Sequence, residues 1–152
     1  MAKPLKPLIP QNSTPLIEKF ICCMMFQGKK SIARRVFWDA IGVIKTRTKE
    51  EPLEVFQKAM LNATPLVEVR PKRVGGAVYQ VPVEVTPKRQ QALSIRWILN
   101  AARERKGIPI AQKLALELLD ASAEQGGAVK KKQDVLKMAQ ANKAFAHLAK
   151  SA

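Results

Sequence analysis

Cysteine, histidine and acidic residues are all scarce in this chain of 152 residues, which holds 2 cysteines, 1 histidine and 12 aspartates and glutamates. The cysteines are the neighbours Cys22 and Cys23, which is neither a disulfide framework nor a zinc-ligand spacing. They read as reduced core thiols of a reducing compartment. His147 is near the end of the chain and reads as a surface or packing residue, and no two carboxylates have the spacing of a general acid and base. The phrase "GKKS" at 28–31 has no glycine five residues before Gly28 and no strand leading into it, so it is a tight helix-to-helix connection rather than a phosphate-cradling loop; no dinucleotide fingerprint occurs either. No run of about 18 apolar residues is available to span a membrane. The opening "MAKPLKPLIPQNSTP" lacks the apolar core of a secretory signal and is short for a transit peptide. An enzyme, a metalloprotein and a membrane-spanning protein all lack support.

What is abundant is positive charge. Lysine and arginine number 27, for a net charge of +15, far more than solubility requires, so the partner is a polyanion. The charge is dispersed from Lys3 to Lys150 across helices, loops and a hairpin. A membrane-surface protein would instead concentrate it on one amphipathic helix with bulky apolar residues opposite. With 47% hydrophobic residues the chain can bury a core as one domain without disulfides or metals.

Thr14 as N-cap and Pro15 at the first helical position open a helix whose inner side is Leu16, Ile17, Phe20, Ile21 and Met24, ending at Gly28. A second helix, 30–46, carries Ile32, Val36, Phe37, Ala40, Val43 and Ile44 inward. A third opens at Pro52 with Leu53, Phe56, Ala59 and Met60 in helical period, and Pro65 closes it. The period then changes to that of strands. Val67 and Val69 share one parity, and Tyr79, Val81, Val83 and Val85 share another, around the reversal at Gly75 and Gly76. Pro71 and Pro82 each remove a ladder donor, which suits a two-stranded ribbon and not the interior of a wide sheet. Three more helices follow, 87–105 capped by Thr86, 109–124 and 128–150. The expected fold is mainly α: a flexible arm over 1–13, then a single domain over 14–150 of six helices, with one protruding β-hairpin at 66–85.

Four clusters of cations stand out. In "TPKRQQALSIRWILNAARER", Leu93, Ile95, Trp97, Ile98, Leu99, Ala101 and Ala102 cover most of the helix circumference, and the remaining sector holds Arg89, Arg96 and Arg103 with Asn100 beside them. Three arginines at sevenfold spacing either follow a phosphate backbone or pair with acids on neighbouring helices. The hairpin bears Arg70, Lys72 and Arg73. A ribbon marginally stable alone and loaded with like charges suits a negative receptor, and Tyr79 either stacks on a base or covers the ribbon's root. Lys29, Lys30, Arg34 and Arg35 sit at a helix start, where side chains and backbone donors converge on one phosphate. Lys130, Lys131 and Lys132 open the last helix, where the dipole disfavours lysine, as a contact or as a solvated turn.

The phrases "GKKSIARRVFWDA", "EPLEVFQKAMLNATPLVEVRPKRVGGAVYQVPVEVTPKRQQALSIRWILNAAR", "LALELLDA" and "GGAVKKKQDVLKMAQANKAFAH" closely resemble the bacterial and organellar family of ribosomal protein seven of the small subunit. The resemblance spans nearly everything from Gly28 to His147. It implies a six-helix fold with an extended hairpin, no enzymatic activity and no cofactor. It also implies a structural constituent of the small ribosomal subunit that binds its ribosomal RNA directly, nucleates head assembly and acts in translation. Carried onto matching positions, RNA contact falls to Lys29, Lys30, Arg34 and Arg35, to Arg70, Lys72 and Arg73, and to Lys88, Arg89, Arg96 and Arg103. Lys130, Lys131 and Lys132 and the helix they open would face a neighbouring protein, the platform protein eleven, and the exit-site tRNA, with the mRNA path close by. The arm matches the family's usual basic arm poorly, and "LAKSA" replaces its usual aromatic and basic ending. These departures and the adjacent cysteines favour an organellar ribosome, mitochondrial before plastid, over the bacterial cytoplasm. The alternative function is a free-standing basic regulator of RNA or DNA, which the absence of a second module or dimerising heptad weakens.

Overall fold

The computed structural model describes residues 13–150. Six α-helices and one antiparallel hairpin follow one another as α1 (Pro15–Met24), α2 (Lys30–Arg47), α3 (Pro52–Asn62), β1 (Val67–Val74), β2 (Ala77–Glu84), α4 (Pro87–Glu104), α5 (Ile110–Ser122) and α6 (Gly126–Ala141), with a C-terminal 3₁₀ helix over Lys143–Lys150. Of the arm expected over 1–13, only Ser13 lies within the described residues.

Proline and threonine start the helices where the sequence places them. Thr14 accepts a hydrogen bond from the Ile17 amide at 3.3 Å, and Pro15, Pro52 and Pro87 occupy the first turns of their helices, where a missing N–H costs nothing. Thr86 stands at the α4 N-cap, but its hydroxyl makes no capping bond; the cap is carried by its carbonyl, which accepts from Gln90 N.

The centre of the core is an aromatic triad. Phe20 of α1, Phe37 of α2 and Phe56 of α3 meet edge-on or tilted with centroids 5.3 to 5.7 Å apart, an arrangement that aligns the positive edge of one ring with the negative face of another. Around them α5 packs against α2, α3, α4 and α6, burying Leu114, Ala115, Leu118 and Ala121. In α4 the broad inner surface is as expected, with Leu93, Ile95, Ile98, Leu99, Ala101 and Ala102 buried and Trp97 half-buried.

Three expectations need correction. The buried seam of α2 is Ala33, Phe37, Ala40, Ile41 and Ile44, which rotates Ile32 out to 52% exposure. Cys22 and Cys23 are both exposed, not core thiols: with Ile17, Phe20 and Ile21 inward, the next two positions turn outward at about 100° each. The last helix is not continuous to residue 150. It ends at Ala141, where Asn142 Nδ2 donates back to the Met138 carbonyl at 2.8 Å, the local competition that asparagine offers a helix, and the 3₁₀ helix follows.

The hairpin forms as expected, each arm with one apolar face. Arg70 opposes Val81 and Lys72 opposes Tyr79, while Val67 opposes Glu84 and Val69 opposes Pro82. Opposed residues share a face, so the apolar sets of the two strands lie on opposite faces of the ribbon. Both find cover at its base, because α6 packs against both strands and the 3₁₀ helix against β2. Tyr79 stacks on Phe145 at 5.1 Å, and Lys72 Nζ donates to the Leu148 carbonyl at 2.8 Å. The ribbon is thus supported as far out as the Lys72–Tyr79 pair and exposed at the tip around Val74 to Val78.

The start of α6 depends on a close approach. A Cβ added at Gly127 would lie 2.9 Å from the Ala101 Cβ of α4, below any ordinary carbon contact. Gly127→Ala is expected to force α6 away from α4 and lower stability by about 1–3 kcal/mol, read as a reduced urea midpoint with an unchanged slope.

Candidate nucleic-acid interface

The scarce carboxylates decide which cations are available. Glu18, Glu68 and Glu117 are buried, and a buried carboxylate requires partners. Glu18 is held by Lys30 Nζ at 2.8 Å, by Arg34, which donates to both oxygens at 3.0 and 2.9 Å, and by the Ser13 hydroxyl at 3.1 Å. The expected four-residue cluster at the start of α2 therefore divides. Lys30 and Arg34 clamp α2 to α1, while Lys29 and Arg35 are exposed and make no ion pair among the described residues.

The hairpin divides in the same way. Arg70 pairs with Glu68 on its own strand, and Arg89 of α4 reaches the other Glu68 oxygen at 3.3 Å. Glu68 thereby ties the hairpin to the start of α4. Lys72 is engaged by the C-terminal carbonyl described above, whereas Arg73 points to solvent near the tip without an ion pair among the described residues.

The arginine face of α4 is real and solvent-facing: Arg89, Arg96, Asn100 and Arg103 are all exposed, as is Lys88. At 1.5 Å per residue, Arg89 to Arg103 spans about 21 Å, from the hairpin root to the α1–α2 turn. There Arg103 donates to the Met24 carbonyl at 3.3 Å and lines one dimple with Lys29. The α4 stripe thus bridges the α2 cluster and the hairpin cluster. Arg96, Asn100 and Arg103 also line a groove of about 430 Å³ with Cys23 of α1.

The fourth cluster separates from these. Lys132 Nζ donates to the Asn62 carbonyl at 2.8 Å, where it closes the C-terminal end of α3, a favourable site for a cation. Lys130 and Lys131 remain exposed. Lysine is tolerated at the α6 start because Glu117 is aimed at it: its Oε1 accepts from the Ala128 amide at 2.9 Å, and its other oxygen binds Arg105 at 2.7 Å. Neither Arg105 nor this junction is apparent from spacing, because the partners lie on α6 and the α4–α5 connection. Phe26, on the turn after α1, is exposed; its only signal in the sequence is its position just outside the α1 apolar seam.

Over residues 2–143 the chain matches the family described as Ribosomal protein S7p/S5e; the match takes in most of the N-terminal arm. It is similar to Small ribosomal subunit protein uS7 of Dictyoglomus turgidum, 54% identical over 138 residues that cover 91% of this chain and 88% of the relative. It is also similar to the proteins of that name from Bradyrhizobium diazoefficiens, 51% identical over the same shares, and from Sulfurovum sp. strain NBC37-1, 50% identical over 146 residues, 95% of this chain and 94% of the relative.

The Glu18 junction has a defined pH dependence. The Lys30 ammonium beside it, outweighing burial and helped by Arg34 and Ser13, holds the Glu18 carboxyl below the usual glutamate range. A carboxyl that is more acidic folded than unfolded stabilises the fold above its unfolded value of about 4.3, and that contribution is lost as pH falls through the folded value. Glu18→Gln should therefore lower stability relative to the parent protein near neutral pH, and the difference between the two should shrink steadily below about pH 4.3. Urea titrations at a series of pH values measure it; a constant difference would place the stabilisation elsewhere.

Proposed function

The chain belongs to the Ribosomal protein S7p/S5e family, and from that premise we propose how it serves the small ribosomal subunit. It is a structural, non-enzymatic small-subunit ribosomal protein. Its direct ligand is small-subunit ribosomal RNA, which it binds early and whose head domain it helps to nucleate. Residues 14–150 act as one RNA-binding unit with the hairpin at 66–85 as its finger. The hairpin and α6 lie toward the exit-site tRNA and the mRNA path, with Lys130 and Lys131 on the side of the platform protein eleven. The compartment is that of the ribosome carrying it, organellar or bacterial.

The observation that carries the RNA reading is the set of exposed cations without an internal ion pair among the described residues, Lys29, Arg35, Arg73, Lys88 and Arg96, mounted on helices and a buttressed ribbon. Rigid supports reduce the ordering entropy lost on binding, and phosphates would take up the charge that the carboxylates leave over. The remaining predicted contacts, Lys30, Arg34, Arg70, Lys72, Arg89 and Arg103, act in a second capacity: they hold their elements in place while contributing to the positive field.

Binding of a head-domain ribosomal RNA fragment, measured by filter retention across salt concentrations, tests this. Affinity should fall steeply and linearly on logarithmic axes, and Arg73→Ala with Arg96→Ala should flatten the slope by about 0.7–0.9 per phosphate contact removed. Both side chains are exposed, so folding stability should change by less than about 0.5 kcal/mol. An unchanged slope would remove these two residues from the interface. If the native protein sedimented apart from ribosomal particles, the free-standing regulator would become the better reading.

A further inference from the structure

We propose that the ring of Phe26, on the turn between α1 and α2, is a stacking platform for one unpaired nucleobase of the bound RNA, with Lys29 and Arg103 placed to take its flanking phosphates. This rests on the ribosomal RNA reading above and adds a contact to a base where the other candidate residues address the backbone.

Among the exposed large hydrophobic residues of the described chain, Phe26 is the aromatic one, at 74% exposure. The other rings are committed. Phe20, Phe37 and Phe56 form the core triad, Trp38 packs edge-on against Phe37, Trp97 is half-buried against the core, and Tyr79 lies on Phe145. Single exposed apolar residues are ordinary, but Phe26 borders a dimple of about 160 Å³ with Ile32 and Ile110, which are also exposed. Lys29 and Arg103 line the same dimple and no carboxylate does. An apolar floor with a cationic rim matches a base, which offers a planar apolar face, and its phosphates. The larger groove beside the hairpin, about 680 Å³, lacks this chemistry: its lining has no aromatic ring and sets Glu84 beside Lys143.

The turn that carries Phe26 is held in an unusual backbone conformation. Lys29 N donates to the Phe26 carbonyl at 3.0 Å, and both residues between them have positive φ, Gln27 at 50° and Gly28 at 73°. Glycine adopts this freely, but glutamine does so at a cost, and such strain concentrates at positions where function demands a particular geometry. Its effect here is to turn the chain tightly enough that Phe26 and Lys29 border one dimple.

The test is binding of a head-domain ribosomal RNA fragment to the full chain and to Phe26→Ala, Phe26→Leu and Phe26→Trp, each measured across salt. Loss of one stacked base weakens binding by about 5- to 100-fold, so Phe26→Ala and Phe26→Leu should lose affinity in that range with the salt slope unchanged. Phe26→Trp should retain affinity, and the introduced indole should be quenched by RNA beyond any change in the parent protein. Parent-like affinity of Phe26→Ala, beside a steep parent slope, would overturn the platform and leave the RNA reading standing. If the parent protein itself failed to bind the fragment, both would fall. A photoreactive phenylalanine analogue at position 26 that crosslinked to a neighbouring protein in intact subunits, and not to RNA, would also overturn the proposal.

Discussion

Glu117 is 1% exposed and lies where three elements meet. One oxygen accepts from the Ala128 amide in the first turn of α6, the other binds Arg105 in the connection after α4, and its own helix is α5, which packs against α2, α3, α4 and α6. A carboxylate this deep is costly unless its partners surround it. Here the partners are a helix N-terminus and a guanidinium, so its charge opposes both the dipole of α6 and the excess of positive charge around it. Asp120, one turn on, binds the same Arg105. The position of α6, and with it the support under the hairpin, follows from this junction.

The same device recurs at Glu18 and Glu68, and it sorts the cations into two populations. With 12 acidic residues against 27 basic ones, few carboxylates are available, and those that are buried sit between elements rather than on the surface. Glu18 joins α1 to α2, and Glu68 joins the hairpin to α4. Each draws two basic side chains inward toward a junction. The cations left over stay outside, on supports whose positions the buried pairs have set. The surface is positive because basic residues outnumber acidic ones 27 to 12, and three of the acids are drawn into buried junctions.

The elements were legible because their signals are local. Thr14 with Pro15, Pro52, Pro87 and the Gly75–Gly76 reversal mark boundaries that the structure reproduces within a residue or so. The α4 arginine face was legible for the same reason, since three arginines at sevenfold spacing on a helix must share a side. What was not legible depends on partners far away in the chain. Nothing near Arg34 indicates that it would be drawn to Glu18 on the preceding helix, and although Glu68 lies near Arg70 on its strand, the burial of that glutamate against α4 is not visible locally; residues expected to contact phosphate alone turn out to hold the fold as well. The cysteines were misplaced because an apolar neighbourhood was taken for an apolar face: Cys22 and Cys23 adjoin Ile21 and Met24, yet the seam of α1 had already been completed. The break at Asn142 has no glycine or proline to mark it, and it is caused by a side-chain amide turning back on its own helix.

That break explains how a two-stranded ribbon remains ordered beside a surface of like charge. Beyond the contacts that α6 itself makes with both strands, the segment after the break adds cover to β2. By ending at Ala141 the chain is free to fold back, and the 3₁₀ helix lays Phe145 on Tyr79 and offers the Leu148 carbonyl to Lys72. The ribbon needs both contacts, since hairpins of this size are marginal alone. Its register sets Glu68, Arg70 and Lys72 against apolar residues on one face and places Glu84 and Arg73 on the other, so neither face could be buried whole. The outcome is a finger stiff at the base and bare at the tip, with Arg73 beyond the last support. On the RNA-binding role proposed above, a stiff finger would lose less freedom on entering folded RNA than a loose one, and the residues that end α6 early would then contribute to affinity without touching the ligand.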